Sequence, residues 1–138
     1  MSENLKPSKL DTPEILSILF FPRQEARPPL SSSCIELNIP YDDSGASLGC
    51  RFHGTDKEAP IILYFHGNGE TVSDYEEVAA FFAEVGINLL VATYRGYGWS
   101  DGTPSVSAMF HDAETILDFT RSFCSENGFE GPLLVMGS

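Results

Sequence analysis

The sequence lacks paired cysteines and is poor in basic residues. Its three cysteines, Cys34, Cys50 and Cys124, are odd in number, and none belongs to a CxxC pair or a Cys/His cluster. We therefore expect neither a disulfide framework nor a zinc site, and reduced cysteines favour a cytoplasmic protein. The chain has 8 basic residues against 20 acidic ones, which gives a net charge of −12. This charge repels nucleic-acid backbones and anionic lipid surfaces, so neither is expected as a partner.

Long apolar segments are also missing. The longest one near the N-terminus spans residues 15–21, contains Ser17 and is far too short to cross a bilayer. Charged residues stand where a signal peptide needs an apolar core, so we predict no membrane span and no secretion signal. The 42% hydrophobic and 20% charged fractions are ordinary for one globular domain. The predicted organisation is a flexible N-terminus over residues 1–11 and a single domain over residues 12–138.

The first half of the chain has the patterns of a short helix and a hairpin. Residues 12–14 (TPE) combine a hydroxyl cap, a proline and an acid, as at a helix start, and Pro22 would end that helix. Two later segments alternate apolar and polar residues, with the apolar ones at Ile35, Leu37, Ile39 and at Leu48, Cys50, Phe52. Alternation of this kind predicts an antiparallel β-hairpin with one face exposed to water.

After Pro60 the apolar residues form continuous runs instead. The runs cover residues 61–65, 89–92 and 133–136. Such runs are typical of parallel strands that are buried on both faces. Helical patterns separate them, so the order strand, helix, strand, helix, strand predicts a doubly wound parallel sheet that follows the hairpin.

The two helical patterns carry their own start and stop signals. The first has a predicted capping box of Ser73 and Glu76 and ends at Gly86. The second begins near Ser105 and ends at Gly128. Both helices are therefore predicted to be amphipathic and to cover the faces of the sheet.

In open α/β sheets the chemistry lies in the loops that follow the carboxyl ends of the strands. Here these loops are residues 66–70 (HGNGE), residues 94–100 (YRGYGWS) and residues 137–138 (GS). A phosphate-binding interpretation of the first loop fails, because a third glycine is missing and Glu70 would repel a phosphate. His53 and His111 have no partner at the sequence spacing of metal ligands, so we expect no metal and no cofactor.

The segments FHGNG at residues 65–69 and YRGYGWSDG at residues 94–102 resemble the α/β-hydrolase superfamily, and in particular its serine esterase-like members. The resemblance covers roughly residues 14–138. It implies that residues 12–138 are the N-terminal portion of one α/β-hydrolase domain, and hence an incomplete α/β-hydrolase fold. Many members of the superfamily carry an aspartate where this chain has Thr93, a difference that concerns the subfamily and not the fold.

The resemblance also implies roles for the first loop. The backbone N–H of Asn68 would donate to the oxyanion of a tetrahedral intermediate, while Gly67 and Gly69 allow the tight oxyanion turn and the close approach of substrate. One such donor contributes roughly 10²–10³ in rate. His66 is expected to brace the turn and not to act as the base. In the second loop, Tyr97 either contacts the substrate or packs locally.

In this superfamily the nucleophile lies in a G-x-S-x-G turn directly after a buried strand. Gly137 matches the first glycine, so in a chain that is simply cut there Ser138 takes the x position. If residues were deleted or replaced, Ser138 would stand in for the nucleophile itself. The acid and the histidine follow the nucleophile in the superfamily, whereas all three histidines of this chain precede Ser138.

We therefore predict part of a serine hydrolase, similar to esterases, thioesterases or lipases, that cleaves a small-molecule ester through an acyl-enzyme. The 138-residue chain alone is expected to be inactive. The alternative is a non-catalytic truncated product, or a binding module on a hydrolase scaffold. A downstream G-x-S-x-G, an aspartate and a late histidine in the gene would favour the enzyme, and the absence of that histidine would favour the module.

Overall fold

The computed structural model describes residues 5, 8–27, 29–30 and 34–138. Its elements, in chain order, are α1 (Pro13–Leu19), β1 (Cys34–Pro40), β2 (Ser47–His53), β3 (Ile61–Phe65), a 3₁₀ turn (Val72–Tyr75), α2 (Glu76–Glu84), β4 (Asn88–Ala92), α3 (Val106–Asn127) and β5 (Leu133–Gly137). Among these described residues, no helix has both the length and the apolar character needed to cross a bilayer.

The five strands form one mixed sheet in the order β1-β2-β4-β3-β5. Strand β2 is antiparallel to both β1 and β4, whereas β3 is parallel to both β4 and β5. The connection from β4 through α3 to β5 passes over β3, so the carboxyl ends of β3, β4 and β5 meet at one edge of the sheet. This arrangement confirms the predicted hairpin that leads into a parallel sheet.

Each face of the sheet is covered by a different helix, because neighbouring residues of a strand point to opposite sides. Ile61 and Leu63 of β3 belong to the core cluster that includes Ile116 of α3. Ile62 belongs to the second cluster, with Ala79 of α2. The sheet is therefore doubly wound, as predicted.

The helix ends follow local chemistry. The Thr12 side chain caps α1 by accepting from the Ile15 N–H at 3.3 Å, and Ser105 caps α3 by accepting from the Ala108 N–H at 3.0 Å. Helix α3 ends at Gly128, whose φ of +75° lies in the left-handed region that favours glycine. Asp11 lies inside the segment expected to be flexible, and its carboxylate accepts from the backbone N–H of Val106 at 2.7 Å.

The predicted capping box of Ser73 and Glu76 is wrong by two residues. The box is formed by Thr71 and Asp74, with the Asp74 carboxylate accepting from the Thr71 N–H at 3.0 Å. A 3₁₀ turn precedes α2, so the helical segment begins earlier than the apolar periodicity indicates. The Ser73 hydroxyl donates instead to Glu25 at 2.6 Å.

The water-exposed face predicted for the hairpin is wrong for β2. Every residue from Leu48 to His53 is buried. The Trp99 ring lies against Gly49, and Arg51 donates to Glu76 of α2 at 2.8 Å. The second face of β2 is therefore covered by α2 and by the loop after β4.

Strand β5 is more exposed than its apolar residues indicate, whereas β2 is more buried than predicted. A continuous apolar run is typical of a strand buried on both faces, yet Leu134, Val135 and Met136 are 52%, 60% and 45% exposed in the described sheet. The strand stands at the end of the sheet order and has β3 as its strand partner among the described residues. A continuous apolar run thus identifies a parallel strand, and the burial of that strand depends on the neighbours present in the described sheet.

Candidate active site

The loop after β3 and the end of β5 lie side by side. Phe65 is paired with Gly137 across the parallel ladder, and the Ser138 N–H donates to the Phe65 carbonyl at 3.3 Å. A Cβ atom on Gly67 would lie 2.8 Å from the Ser138 Oγ. The Glu70 Oε1 would lie closer still, at 2.6 Å, so a side chain at position 67 would displace the ends of both neighbouring side chains.

Residues 67–70 form a tight turn. The Glu70 N–H donates to the Gly67 carbonyl at 3.2 Å, and Gly69 has a φ of +80°, which places Asn68 at the second position of the turn. The Glu70 carboxylate accepts from the Gly67 N–H at 2.5 Å and from the Tyr75 hydroxyl at 2.7 Å. Within the described part of the chain, no acceptor takes the backbone N–H of Asn68. The turn is closed by its own residues and leaves that donor unused.

His66 is fully buried beneath the turn and is held at both ring nitrogens. Its Nδ1 lies 2.9 Å from the Gly67 carbonyl and its Nε2 lies 2.7 Å from the Thr93 Oγ1. A carbonyl can only accept, so Nδ1 carries the proton and Nε2 accepts from the Thr93 hydroxyl. Burial lowers the pKa of His66 below its ordinary value, which favours the same neutral form. These contacts agree with a bracing role.

The residue at position 93 influences the protonation state of His66. An aspartate at the same position would attract a protonated imidazole, whereas a threonine hydroxyl can donate to a neutral one. The ring of Tyr94 packs edge-on against His66 at 4.8 Å, and its hydroxyl donates to the His66 carbonyl at 2.8 Å. The second loop thus supports the first through aromatic packing and hydrogen bonds.

Tyr97 connects the two loops. Its ring is buried, and its hydroxyl donates to the Asn68 Oδ1 at 2.6 Å while accepting from the Phe21 N–H at 2.9 Å. The hydroxyl is therefore used to position the Asn68 side chain. Contact between Tyr97 and a substrate stays a prediction.

A segment made of the last residue of α1 and the residues that follow it crosses this site. We call residues 19–25 the strap. The Asn68 amide donates to the Leu19 carbonyl at 3.0 Å and its Oδ1 accepts from the Phe21 N–H at 2.8 Å. Because an amide side chain can donate and accept at once, Asn68 pairs with the strap as a backbone group would.

Arg23 anchors the strap to the same loops. Its guanidinium donates to the Gly69 carbonyl at 3.2 Å and pairs with Asp74 at 2.6 Å. The Arg23 carbonyl accepts from the Gly98 N–H at 2.8 Å, which ties the strap to the loop after β4. The sequence offered no periodic signal for these contacts, because they join residues about 50 to 75 positions apart through single hydrogen bonds.

A buried ion pair joins the loop after β4 to helix α3. Arg95 donates to both carboxylate oxygens of Asp112 at 2.7 and 2.8 Å, and its guanidinium stacks on the Tyr41 ring at 3.8 Å. The two side chains are only 8% and 4% exposed. Bidentate pairs of this geometry are directional, so Asp112 sets the position of the loop relative to α3.

Within the described residues, no hydrogen bond joins a histidine to the Ser138 hydroxyl. Both nitrogens of His66 are already engaged. His111 lies on α3 beside Asp112, and His53 lies at the end of β2. The described residues thus form a turn, a neighbouring serine and a bracing shell, and they bring no imidazole to that serine.

The fold and this arrangement of loops define the chain as an α/β hydrolase. The carboxylesterase EstE1, cloned from a metagenomic library, superposes with a TM-score of 0.61 at 20% identity, over 82% of this chain and 38% of that one. Est1E from Butyrivibrio proteoclasticus, solved with ferulic acid bound, superposes with a TM-score of 0.59 at 19% identity, over 73% of this chain and 41% of that one. At such identities the likeness shows the fold.

Sequence comparison gives the family. Residues 56–138 match the family described as serine aminopeptidase, S33, and the chain belongs to that family. It is 36% identical over 70 residues to the lysophosphatidylserine lipase ABHD12 of Rattus norvegicus, which is 49% of this chain and 18% of the lipase. It is 34% identical over 61 residues to the protein bem46 of Schizosaccharomyces pombe, which is 44% of this chain and 20% of bem46. The chain thus spans about a quarter or less of the curated relatives it matches.

Proposed function

We propose that this chain supplies the oxyanion turn of a serine hydrolase that cleaves an ester-type carbonyl through an acyl-enzyme. The observation that carries the proposal is the contact between Gly67 and Ser138 at the carboxyl edge of the parallel sheet. In an acyl-transfer site the oxyanion donor and the nucleophile must flank one carbonyl group, so the turn and the end of β5 have to be neighbours.

The donor in this proposal is the backbone N–H of Asn68. Its support is the hydrogen-bond arrangement of the turn, in which the Gly67 N–H is taken by Glu70 and the Asn68 N–H has no acceptor within the described residues. A free, fixed donor acts only on charge that develops in the transition state and needs no reorganisation when the charge appears. The side chain of Asn68 then serves to hold that donor through the strap and Tyr97.

The strap and the bracing histidine add rigidity to the donor. A catalytic hydrogen-bond donor must be held to within about half an ångström of its productive position. Here Asn68 is fixed by Leu19, Phe21 and Tyr97, and Gly67 is fixed by His66 and Glu70. The loop is therefore preorganised without a bound substrate.

The turn geometry allows a sharp test of the donor. Position 68 is the second residue of the turn, where proline is favoured, so Asn68→Pro removes the N–H at little cost in backbone strain. Asn68→Ala removes the same side-chain contacts and keeps the N–H. We expect Asn68→Pro to lower kcat by roughly 10²–10³ relative to Asn68→Ala. Equal kcat values in the two variants would refute the donor role.

This measurement needs a catalytically complete protein. If the gene continues through a G-x-S-x-G turn, an aspartate and a histidine, the longer polypeptide is used. Otherwise residues 1–138 replace the matched segment of EstE1 in a chimera, and hydrolysis of p-nitrophenyl acetate is followed. A chimera that folds by circular dichroism and binds substrate without any turnover would favour the binding-module alternative.

The 138-residue chain alone provides a second test. The proposal gives Ser138 no histidine as its base, and a serine hydroxyl needs an adjacent base to be nucleophilic at neutral pH. We expect no p-nitrophenyl acetate hydrolysis above the buffer rate and no labelling by a fluorophosphonate probe. Stoichiometric labelling of Ser138 in this chain would overturn the proposed division of labour.

A further inference from the structure

Three side chains with metal-ligand atoms meet at the end of the sheet opposite the candidate active site. Cys34 and His53 face each other across the β1–β2 ladder, and Glu76 is the first residue of α2. Their ligand atoms all lie within 4.8 Å of one another, and the Cys34 Sγ is 3.9 Å from the His53 Nε2. His53 is paired with Leu89 near the start of β4, whereas the candidate active site lies beyond the end of that strand.

We propose that Cys34, His53 and Glu76 form a binding site for a divalent transition metal, with Zn²⁺ as the best match. A thiolate, an imidazole and a carboxylate are the three protein ligand types of zinc sites, and the sulfur disfavours Mg²⁺ and Ca²⁺. Ordinary Zn–S and Zn–N distances place the two donor atoms about 3.6 Å apart in a tetrahedral site. The observed 3.9 Å therefore requires a shift of a few tenths of an ångström for this pair. The ligand oxygen of Glu76 lies within 4.8 Å of both atoms and has to move closer as well.

The cluster is largely buried and opens to solvent through one groove. Cys34 and His53 are both 7% exposed, which is low enough to exclude most competing solvent. Glu76 and His53 line an open groove of about 380 Å³, together with Glu77 and alanines of α2. A metal ion can enter through this groove, and a water molecule in the groove can complete a four-coordinate shell.

Arg51 lies next to the site and has to be compatible with a cation. Its Nη1 donates to the Glu76 Oε1 at 2.8 Å, and its guanidinium lies 4.9 Å from the centre of the Trp99 ring. A carboxylate has two oxygens, so one can accept from Arg51 while the other binds metal, as is usual for ligating carboxylates with outer-shell partners. A thiolate and a carboxylate offset the two charges of the ion, and the Arg51 guanidinium leaves the whole group with a charge of +1.

The other use of such a cluster, a cysteine nucleophile, is disfavoured by its surroundings. Burial raises the pKa of Cys34 to about 11, so at neutral pH the free thiol keeps its proton. Metal binding displaces that proton because only the thiolate is a ligand. In the bound state the ion would join the edge strand β1, the strand β2 and the helix α2.

The test is titration of the reduced 138-residue chain with Co²⁺ as a spectroscopic probe and with Zn²⁺ in competition. We expect one Co²⁺ per chain, with the visible bands of a tetrahedral site and a thiolate-to-cobalt charge-transfer band in the near ultraviolet. Cys34→Ser should abolish the charge-transfer band and weaken Zn²⁺ binding at least tenfold. Cys124→Ser is the matched control, since Cys124 is a free, half-buried cysteine on α3 outside the cluster, and it should bind as the wild type does.

A second measurement needs no variant and so does not depend on a substitution being tolerated. Alkylation of the wild-type chain with N-ethylmaleimide is mapped by peptide, with Zn²⁺ and with a chelator. Zn²⁺ should slow modification of Cys34 at least tenfold and leave Cys124 unchanged. Absence of stoichiometric metal binding in the wild type, or equal losses in the two cysteine variants, would overturn the proposal. Neither result bears on the oxyanion turn at the other end of the sheet.

Discussion

Strands β4 and β5 have nearly the same apolar residues and opposite burial. The five residues of β4 (NLLVA) are all buried, whereas β5 (LLVMG) is exposed from Leu134 onward. Strand β4 lies between β2 and β3 and has a helix over each face. Strand β5 has one strand partner in the described sheet, and its outer side has no neighbour there.

The difference shows that composition selects the type of strand and that neighbours select its environment. A continuous apolar run is stable in the middle of a parallel sheet because both faces are removed from water. The same run at an edge leaves apolar side chains and backbone hydrogen-bonding groups unpaired. Stability should therefore respond strongly to changes on the β4 side of the molecule and weakly to changes in β5.

The largest loss in the free energy of unfolding is expected when the buried ion pair between Arg95 and Asp112 is broken. Asp112→Ala removes the bidentate carboxylate of Arg95 and leaves a positive charge with little access to water. We expect a loss of about 3–5 kcal/mol in the free energy of unfolding, measured by urea denaturation. Asp118→Ala on the exposed side of the same helix is the control, with an expected change within about 0.5 kcal/mol. Equal changes in the two variants would show that the pair does not hold the loop.

A matched pair of leucines tests the two strands directly. Leu90 of β4 is fully buried, and Leu90→Ala should destabilise the protein by about 2–5 kcal/mol because a cavity remains. Leu134 of β5 is half exposed, and Leu134→Ala should change stability by no more than about 1 kcal/mol. Urea denaturation of both variants measures the difference between the two losses in free energy of unfolding. Equal losses in the two variants would contradict the expected difference between the strands.

The pH dependence of stability reports on the buried His66. Its pKa is lowered in the folded state, so below its ordinary value of 6.5 the unfolded chain binds a proton that the folded chain resists. Stability is therefore fully present above pH 6.5 and falls as the pH drops, by at most about 1.4 kcal/mol per pH unit, until the folded pKa is reached. Burial lowers the pKa of His53 as well, so His66→Gln should reduce this slope and leave the part that His53 contributes, measured by urea denaturation at successive pH values. An unchanged slope would place the charge change on another group.

A substitution in β5 is expected to have the smallest effect on the free energy of unfolding and a clear effect on self-association. Val135→Lys places a charge on an exposed position and should change the free energy of unfolding by about 0.5 kcal/mol or less. The charge should reduce self-association at this open edge, measured by analytical ultracentrifugation across a concentration series. Val91→Lys is the contrast, because Val91 is fully buried and a lysine there should prevent folding. Equal self-association of wild type and Val135→Lys would show that the edge does not attract other chains.

Much of the fold could be predicted because its signals are local. The cap at Thr12, the alternation in the hairpin, the three apolar runs and the glycines after α2 and α3 each reflect a preference of a few neighbouring residues. The two loops that carry the superfamily resemblance were also visible, since their glycines and their position after a strand are local features. The capping box was misplaced because a 3₁₀ turn can begin a helical segment before its apolar periodicity does.

The contacts that complete the candidate site could not be predicted in the same way. The strap reaches Asn68 through single backbone hydrogen bonds, and such bonds leave no periodicity in the sequence. Cys34 and His53 are 19 positions apart, and only the hairpin register makes them neighbours. A hairpin alignment around residues 42–45 could have suggested this pair. The third member, Glu76, required the packing of α2.

Local amino-acid preferences account for the kinds of elements, their order and the glycine-dependent turn at the end of β3, because these depend on backbone preferences and on the period of apolar residues. The assembled fold accounts for which apolar strand is covered, which nitrogen of His66 carries its proton, and which distant side chains surround Asn68 and Cys34. These properties depend on burial and on directional hydrogen bonds between residues far apart in the chain, and both exist only once the sheet has assembled.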